Sequence, residues 1–225
     1  MSLIKLKNIK KTYNIGKIKV EALKDVSLEI EKGDFIALMG PSGSGKTTLM
    51  NLIGLLDTPT SGNYLLEDIE VEQKSKKELA RIRNSEIGFV FQMFNLLSRH
   101  SALENVMLPL SYNKKKISYK NRKRKAEKAL KEVGLSHRLK HKPNEISGGE
   151  QQRIAIARAL INNPSIILAD EPTGNLDTKR GLEIMEILES LNKSGKTIIM
   201  VTHEEEIAEY AQKVVKLKDG VINNV

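Results

Sequence analysis

The 225-residue chain has no cysteine, and this excludes a disulfide scaffold, thiolate zinc sites and a cysteine nucleophile. Aromatic residues are scarce, at 4%. None is interleaved with the basic run Arg122–Lys125, where a base-stacking surface would need them. Long apolar runs are also missing. No stretch approaches the roughly 18 apolar residues of a membrane span. The opening MSLIKLKNIKKTY has no apolar h-region of a signal peptide, so any service to a membrane is expected to run through a partner. There is no internal repeat of about 20–50 residues and no low-complexity tract. What remains, 40% hydrophobic and 29% charged, is a globular composition that fits a cytosolic protein.

Charge is unevenly placed. The formal net charge is +9, yet the segment Lys114–Lys142 holds 13 Lys or Arg against only Glu127 and Glu132. That segment contributes +11 and leaves −2 for the rest of the chain. The basicity is therefore one local feature. It is open to three readings: a solvated helix face, a contact with anionic lipid, or a nucleic-acid contact.

Hydrophobic patterning gives strands at Leu3–Ile9, Val26–Ile30 and Phe35–Met39, then a helix from Lys46 through Leu56 that stops near Thr58-Pro59. Further strands are predicted at Ile87–Phe91, Ile166–Ala169, Thr197–Val201 and Val214–Leu217, with helices over 101–142, 147–162 and Gly181–Leu191. Alternating strands and helices predict an α/β fold with a mostly parallel sheet. An inserted helical segment interrupts the alternation. The expected organisation is one domain over 1–225, with a core over about 1–94 and 161–225 and a helical subdomain over about 95–160.

Gly40-Pro41-Ser42-Gly43-Ser44-Gly45-Lys46-Thr47 fits G-x-x-x-x-G-K-[ST] between an apolar strand and a helix. Glycines let successive backbone N–H groups point at one anion, and the helix aims its positive end at the same place. Lys46 supplies a point charge for the β- and γ-phosphates and Thr47 a hydroxyl for magnesium. The apolar strand of SIILADE ends in two carboxylates. Asp170, at the carboxyl edge of the sheet, can hold magnesium. Glu171 can orient or deprotonate a water attacking the γ-phosphate. These features together predict nucleoside triphosphate hydrolysis.

Ile146-Ser147-Gly148-Gly149-Glu150-Gln151-Gln152-Arg153 resembles the LSGGQ-x-Q-R signature of ATP-binding-cassette (ABC) ATPases. The resemblance covers almost the whole chain. It implies a P-loop NTPase core, an N-terminal antiparallel β subdomain and an inserted helical subdomain. Tyr13 corresponds to the adenine platform, residues 40–48 including Thr48 to the Walker A region, and Gln92 to the Q-loop, which touches magnesium or water. Asp170 and Glu171 match the Walker B and catalytic acid, Asp177 in GNLD the D-loop, and His203 the switch histidine. Within the family, GFVFQMFNLL, ALENVMLPL and ADEPTGNLD are most similar to the cassettes of lipoprotein-releasing and macrolide-export systems. The implied machine binds ATP and Mg2+ in a head-to-tail homodimer. In it Ser147, Gly148 and Gly149 of one copy close over ATP held at Lys46 of the other, and Asp177 crosses the interface. It would be peripheral on the cytoplasmic face of a membrane, docked to separate permease subunits, and would export or extract a peptide, lipoprotein or amphiphilic drug.

The chain departs from the signature at Ile146 and Glu150, where the family has Leu and Gln. Glu150 adds a negative charge near a triphosphate. Ser147 and Glu150 also read as S-x-x-E, a capping box that either Gln or Glu could complete. Cassettes of DNA repair and chromosome structure flank long coiled coils, and no sustained heptads occur here. Translation types usually carry two cassettes, and no repeat is present. A permease-free cassette in cofactor assembly stays open. A small-molecule kinase would leave the SGG motif and His203 unexplained. His100, His137 and His141 are assigned no site.

Overall fold

The structure, a computed structural model, describes residues 2–16, 18–114 and 116–224. Met1, Lys17, Val225 and Lys115 of the basic segment lie outside that set. Strands β1 (Ser2–Ile15), β2 (Ile18–Glu31) and β3 (Phe35–Met39) lead into helix α1 (Lys46–Ile53). Strands β4 (Ser61–Leu66) and β5 (Ile69–Glu70), helix α2 (Lys76–Glu86) and strand β6 (Ile87–Phe91) follow. Helices α3 (Ala102–Met107), α4 (Tyr119–Glu132) and α5 (Gly148–Leu160) occupy the middle of the chain. Strand β7 (Ile166–Asp170), helix α6 (Thr178–Lys193), strand β8 (Thr197–Val201), helix α7 (Glu205–Ala208) and strands β9 (Lys213–Lys218) and β10 (Val221–Asn224) complete the order. They form two compact units, Met1–Ala80 with Gly195–Val225, and Arg81–Ser194.

In the first unit β1 pairs antiparallel with both β2 and β4, and β4 with β5. Ile4 faces Ile30, Leu6 faces Leu28 and Ile9 faces Val26, and all six are buried. Both long strands outrun the alternation in the sequence, because register shifts between Leu6 and Ile9, and again near Lys11, slip the two-residue period. Lys11 itself takes a buried position, matched by its ion pair to Asp57 at 2.6 Å. Beside this sheet, β3 lies parallel to β8 on one side and β9 on the other, and β10 returns antiparallel to β9. Residues 35–38 and the whole of β8 are buried, as continuous apolar strands covered on both faces should be. The one polar member, Thr197, accepts the Gly33 N–H at 2.9 Å.

Helix α1 stops earlier than its apolar pattern predicts. Leu55 takes a left-handed conformation (φ 55°), and the buried Tyr64 hydroxyl caps the helix end by donating to the Ile53 carbonyl at 2.8 Å.

In the second unit β6 and β7 run parallel, from Ile87 beside Ile166 to Phe91 beside Asp170. The helix expected over 101–142 is broken into α3, a 3-10 stretch Leu108–Tyr112, and α4. Pro109 sits in the 3-10 stretch, and a fresh cap at Ser118 starts α4 by accepting the Asn121 N–H. Beyond α4 the Gly134 and Leu135 N–H groups turn back to the carbonyls of Lys131 and Leu130, which ends the helix. Helix α6 begins before Gly181, since Asp177 caps it through the Arg180 N–H.

Ile30 is fully buried against the paired face of β1. Ile30→Ala should lower stability by about 3 kcal/mol, read from urea unfolding, since such core truncations typically cost about 2–5 kcal/mol.

Candidate functional site

The cradle begins where β3 ends. Gly40 is at φ 147°, and a Cβ there would lie 2.1 Å from the Leu217 carbonyl oxygen and 2.9 Å from Ser44 Oγ. No side chain fits, so the turn closes on itself only as glycine. The Ser44 N–H donates to the Pro41 carbonyl at 3.2 Å and the Gly220 N–H to the Ser44 carbonyl at 3.1 Å. Ser44 Oγ is buried without a hydrogen-bond partner, unusual for a hydroxyl and apt for an anion seated in the loop. Lys46 lies back over the loop, its ammonium donating to the carbonyls of Gly40 at 2.6 Å and Pro41 at 2.8 Å. Helix α1 has no side-chain cap and no acid in its first turn, so its leading N–H groups meet no competing carboxylate. Thr47 is exposed at the same helix start.

His203 follows the buried strand β8. With Met39, Gly40, Pro41, Glu205 and Leu217 it lines a cavity of about 490 Å³. The structure thus brings the predicted histidine to the mouth of the predicted cradle.

Tyr13 is held elsewhere in the same unit. Its hydroxyl donates to Asp57 at 2.9 Å, and the Lys11 ammonium lies 4.9 Å from its ring centroid. Burial, and then the Asp57 carboxylate, raise the phenol above its ordinary range, while a hydrogen bond with Thr48 acts the other way. One ring face is thereby covered by a cation.

In the second unit Asp170 ends β7, and Glu171 immediately after it has φ 43°. A non-glycine residue in that region costs on the order of 1–3 kcal/mol, and such strain concentrates at working sites. The turn is fixed from two sides. The Gly174 N–H donates to the Glu171 carbonyl at 3.1 Å, and the fully buried Gln152 of α5 donates through Nε2 to the Pro172 carbonyl at 2.6 Å. Gln92 packs on Gly174, where a Cβ would lie 2.8 Å from its Nε2, and Asn175 Nδ2 donates to the Gln92 carbonyl at 2.9 Å. The segment after Gln92 is pinned by Arg158 of α5, which donates to the carbonyls of Phe94 and Asn95, both left-handed residues. Gln92, the strand-end carboxylates and the signature helix are therefore one bonded assembly.

The signature helix starts on a complete capping box. The Ser147 N–H and hydroxyl each donate to Glu150 Oε2 at 2.9 Å, and the Glu150 N–H returns to Ser147 Oγ. The other oxygen, Oε1, accepts from Arg138 Nε at 2.8 Å. Burial by itself would raise the Glu150 carboxyl. The Ser147 N–H and the Arg138 guanidinium outweigh burial and hold it down at about 2. The charge that departs from the family pattern is therefore neutralised inside the chain. Ser147, Glu150, Asp177 and Arg180 line a second cavity, of about 430 Å³. Asp177 has an intrachain task as the cap of α6, besides its ion pair with Arg180 at 3.2 Å.

Residues 23–174 match the family described as ABC transporter. The chain belongs to the ABC transporter family. It is an ABC ATPase domain, a mixed α/β fold with an antiparallel N-terminal sheet and a parallel-rich core. Among curated relatives it is 56% identical over 222 residues to the macrolide export ATP-binding/permease protein MacB of Bdellovibrio bacteriovorus, covering 99% of this chain and 34% of that protein. The chain thus spans about a third of the length of the MacB relatives it matches. It is 52% identical to the uncharacterised ABC transporter ATP-binding protein YvrO of Bacillus subtilis, over 97% of this chain and 94% of that one. Among solved structures it is similar to the ATP-binding cassette MJ0796, a dimer in a post-hydrolysis state bound to ADP and Pi. There the TM-score is 0.90 at 48% identity, over 98% of this chain and 97% of that one.

Several contacts of this ABC domain escape a motif reading. Gln152 stands at a fixed position of the signature, but its bond to the Pro172 carbonyl, 20 residues away, is not announced there. Arg138, Arg158 and Asn175 act through backbone or carboxylate partners distant in sequence, and no local signal announces them.

The Arg138–Glu150 pair gives a testable sign. The Glu150 carboxyl is lower in the folded chain than its ordinary 4.5, so its contribution to stability is present above about pH 4.5 and is lost as pH falls toward 2. Arg138→Met should cost about 2 kcal/mol at pH 7 in urea unfolding, and Arg138→Met with Glu150→Gln should recover most of it. The gap between parent and Glu150→Gln should be flat from pH 5 to 7, narrow below pH 4.5 and close only as the pH approaches 2.

Proposed function

We propose that the chain is the ATP-binding and ATP-hydrolysing part of an ABC transporter that powers export or extraction of a peptide, lipoprotein or amphiphilic drug. The observation that carries this reading is the cradle, with its orphaned Ser44 hydroxyl, its open helix start and Lys46 poised over the loop. The names of the relatives support the transport side. MacB is named as a macrolide export ATP-binding/permease protein, and MJ0796 was solved as a dimer with ADP and Pi.

In this reading residues 40–48 hold the triphosphate through their backbone N–H groups, Pro41 excepted, and through the Lys46 ammonium, and Tyr13 stacks the adenine on its uncovered face. Thr47, Gln92 and Asp170 are hard oxygen donors of the kind magnesium takes. Magnesium held there would neutralise charge on the transferring phosphoryl group. Glu171 orients the attacking water and accepts its proton, held in register by the Gln152 and Gly174 bonds to its turn. His203, beside Gly40 and Pro41, donates to the γ-phosphate. A second copy of the chain completes the site head to tail. It brings Ser147, Gly148 and Gly149 onto the γ-phosphate, and Asp177 crosses the interface. Segment 95–160 serves as the helical subdomain, with the core over about 1–94 and 161–225, and Gln92 links the two. No helix of the described residues is long and apolar enough to cross a membrane. In this reading the protein works peripherally on the cytoplasmic face, docked to integral permease subunits. Its basic segment 114–142 meets anionic lipid there.

Glu171→Gln should keep ATP binding, lose at least a hundredfold in turnover and run as an ATP-dependent dimer on size exclusion. Hydrolysis at near-parental rate removes Glu171 from the mechanism. Glu150→Gln, which keeps the cap, should stay within a few-fold of parental turnover.

A further inference from the structure

The most one-sided surface of the second unit is α4. Its buried side is Ala126, Ala129 and Leu130. At 100° per residue, Lys120, Arg124, Lys128 and Lys131 fall on the opposite side, and all four are exposed. The two acids of the helix are already engaged, Glu127 with Lys123 and Glu132 with Lys128, each at 3.8 Å. Arg122 is set apart from this stripe, its guanidinium donating to Ser111 at 2.8 Å. Lys120, Arg124 and Lys131 are thus left without an acid on their own helix. Lys114 and Lys116 are exposed in the turn before the helix. Two tyrosines flank that turn, Tyr112 at 67% and Tyr119 at 61% exposure. These are the largest exposures of any aromatic side chain among the described residues. Tyrosine beside lysine and arginine is the composition of a membrane–water interface, with the ring at headgroup depth and the cations on lipid phosphate.

We infer that the Tyr112–Lys131 surface binds anionic phospholipid headgroups directly, as a lipid contact of its own beside the permease. The chemistry favours lipid over nucleic acid. Four of the cations, Lys120, Arg124, Lys128 and Lys131, form one stripe along a single helix, and the exposed rings stand at its start instead of alternating with the charges as base stacking requires. The stripe is a rigid face, because α4 is anchored through its apolar side and capped at Ser118. The inference rests on the membrane-facing placement proposed above, but its test needs neither permease nor nucleotide.

The test is sedimentation of the parent chain with vesicles of phosphatidylcholine containing 30% phosphatidylglycerol, at low and at 0.5 M salt. Binding should be salt-reversible and absent from pure phosphatidylcholine. At about 1 kcal/mol per interfacial cation, or roughly fivefold each, Lys120→Gln, Arg124→Gln and Lys131→Gln together should lower partition about a hundredfold. ATP turnover should remain, which shows that the variant is folded. Tyr112→Ser with Tyr119→Ser should weaken binding several-fold at unchanged salt dependence. Absence of parental binding at low salt, equal binding to neutral vesicles, or tighter binding to a mixed-sequence RNA than to the anionic vesicles overturns the inference. The failures are separable. A Glu171→Gln chain that dimerises with ATP yet ignores vesicles sinks this surface alone, and one that binds vesicles without dimerising sinks the nucleotide reading alone.

Discussion

Phosphate recognition here depends on a main chain approaching itself more closely than any side chain permits. At Gly40 the backbone passes so near the Leu217 carbonyl that a methyl group could not be accommodated. That contact joins the end of the buried strand β3 to β9. The strand ends there, and the chain enters a loop with a buried, unpartnered serine hydroxyl. Apolar packing of residues 35–38 fixes where the loop starts, and the helix after it fixes where the amides point. Each level constrains the next, so a short sequence motif is enough to specify a site.

The second unit solves a different problem, holding several polar segments in left-handed turns. Its solution is donation from α5. Gln152 and Arg158 reach from one helix to the carbonyls of Pro172, Phe94 and Asn95, and so to the strand-end carboxylates and the residues after Gln92. The start of the same helix is tied down by Glu150 and Arg138. The unusual carboxylate in the signature is thereby absorbed into a helix cap and an ion pair.

Much of this was legible in the residues, for a physical reason. Strands buried on both faces, such as Phe35–Met39, Ile87–Phe91 and Thr197–Val201, carry unbroken apolar runs, and their limits agree with the structure. The S-x-x-E box announces itself because its partners are three residues apart. The structure departs from the pattern where the signal is long-range or interrupted. β1 and β2 extend beyond their alternating cores because bulges shift the alternation. The helix expected over 101–142 divides at Pro109 and Ser118, breaks that the charge density hides. β4 and β5 leave little alternation in the sequence, since SGNYLL buries only Tyr64 and Leu66. At the site, the glycines, Lys46 and the carboxylates follow from chemistry at fixed spacing. The bond of Tyr13 to Asp57, 44 residues away, and that of Arg138 to Glu150 depend on tertiary placement.

The posture of Lys46 has a consequence for how tightly a nucleotide can be held. Its ammonium already rests on two carbonyl oxygens. A triphosphate arriving in the loop therefore does not recruit a hydrated, wandering cation. It competes with neutral oxygens that are already in place, and the net gain is the difference between anionic and neutral acceptors, smaller than a bare ion pair would suggest.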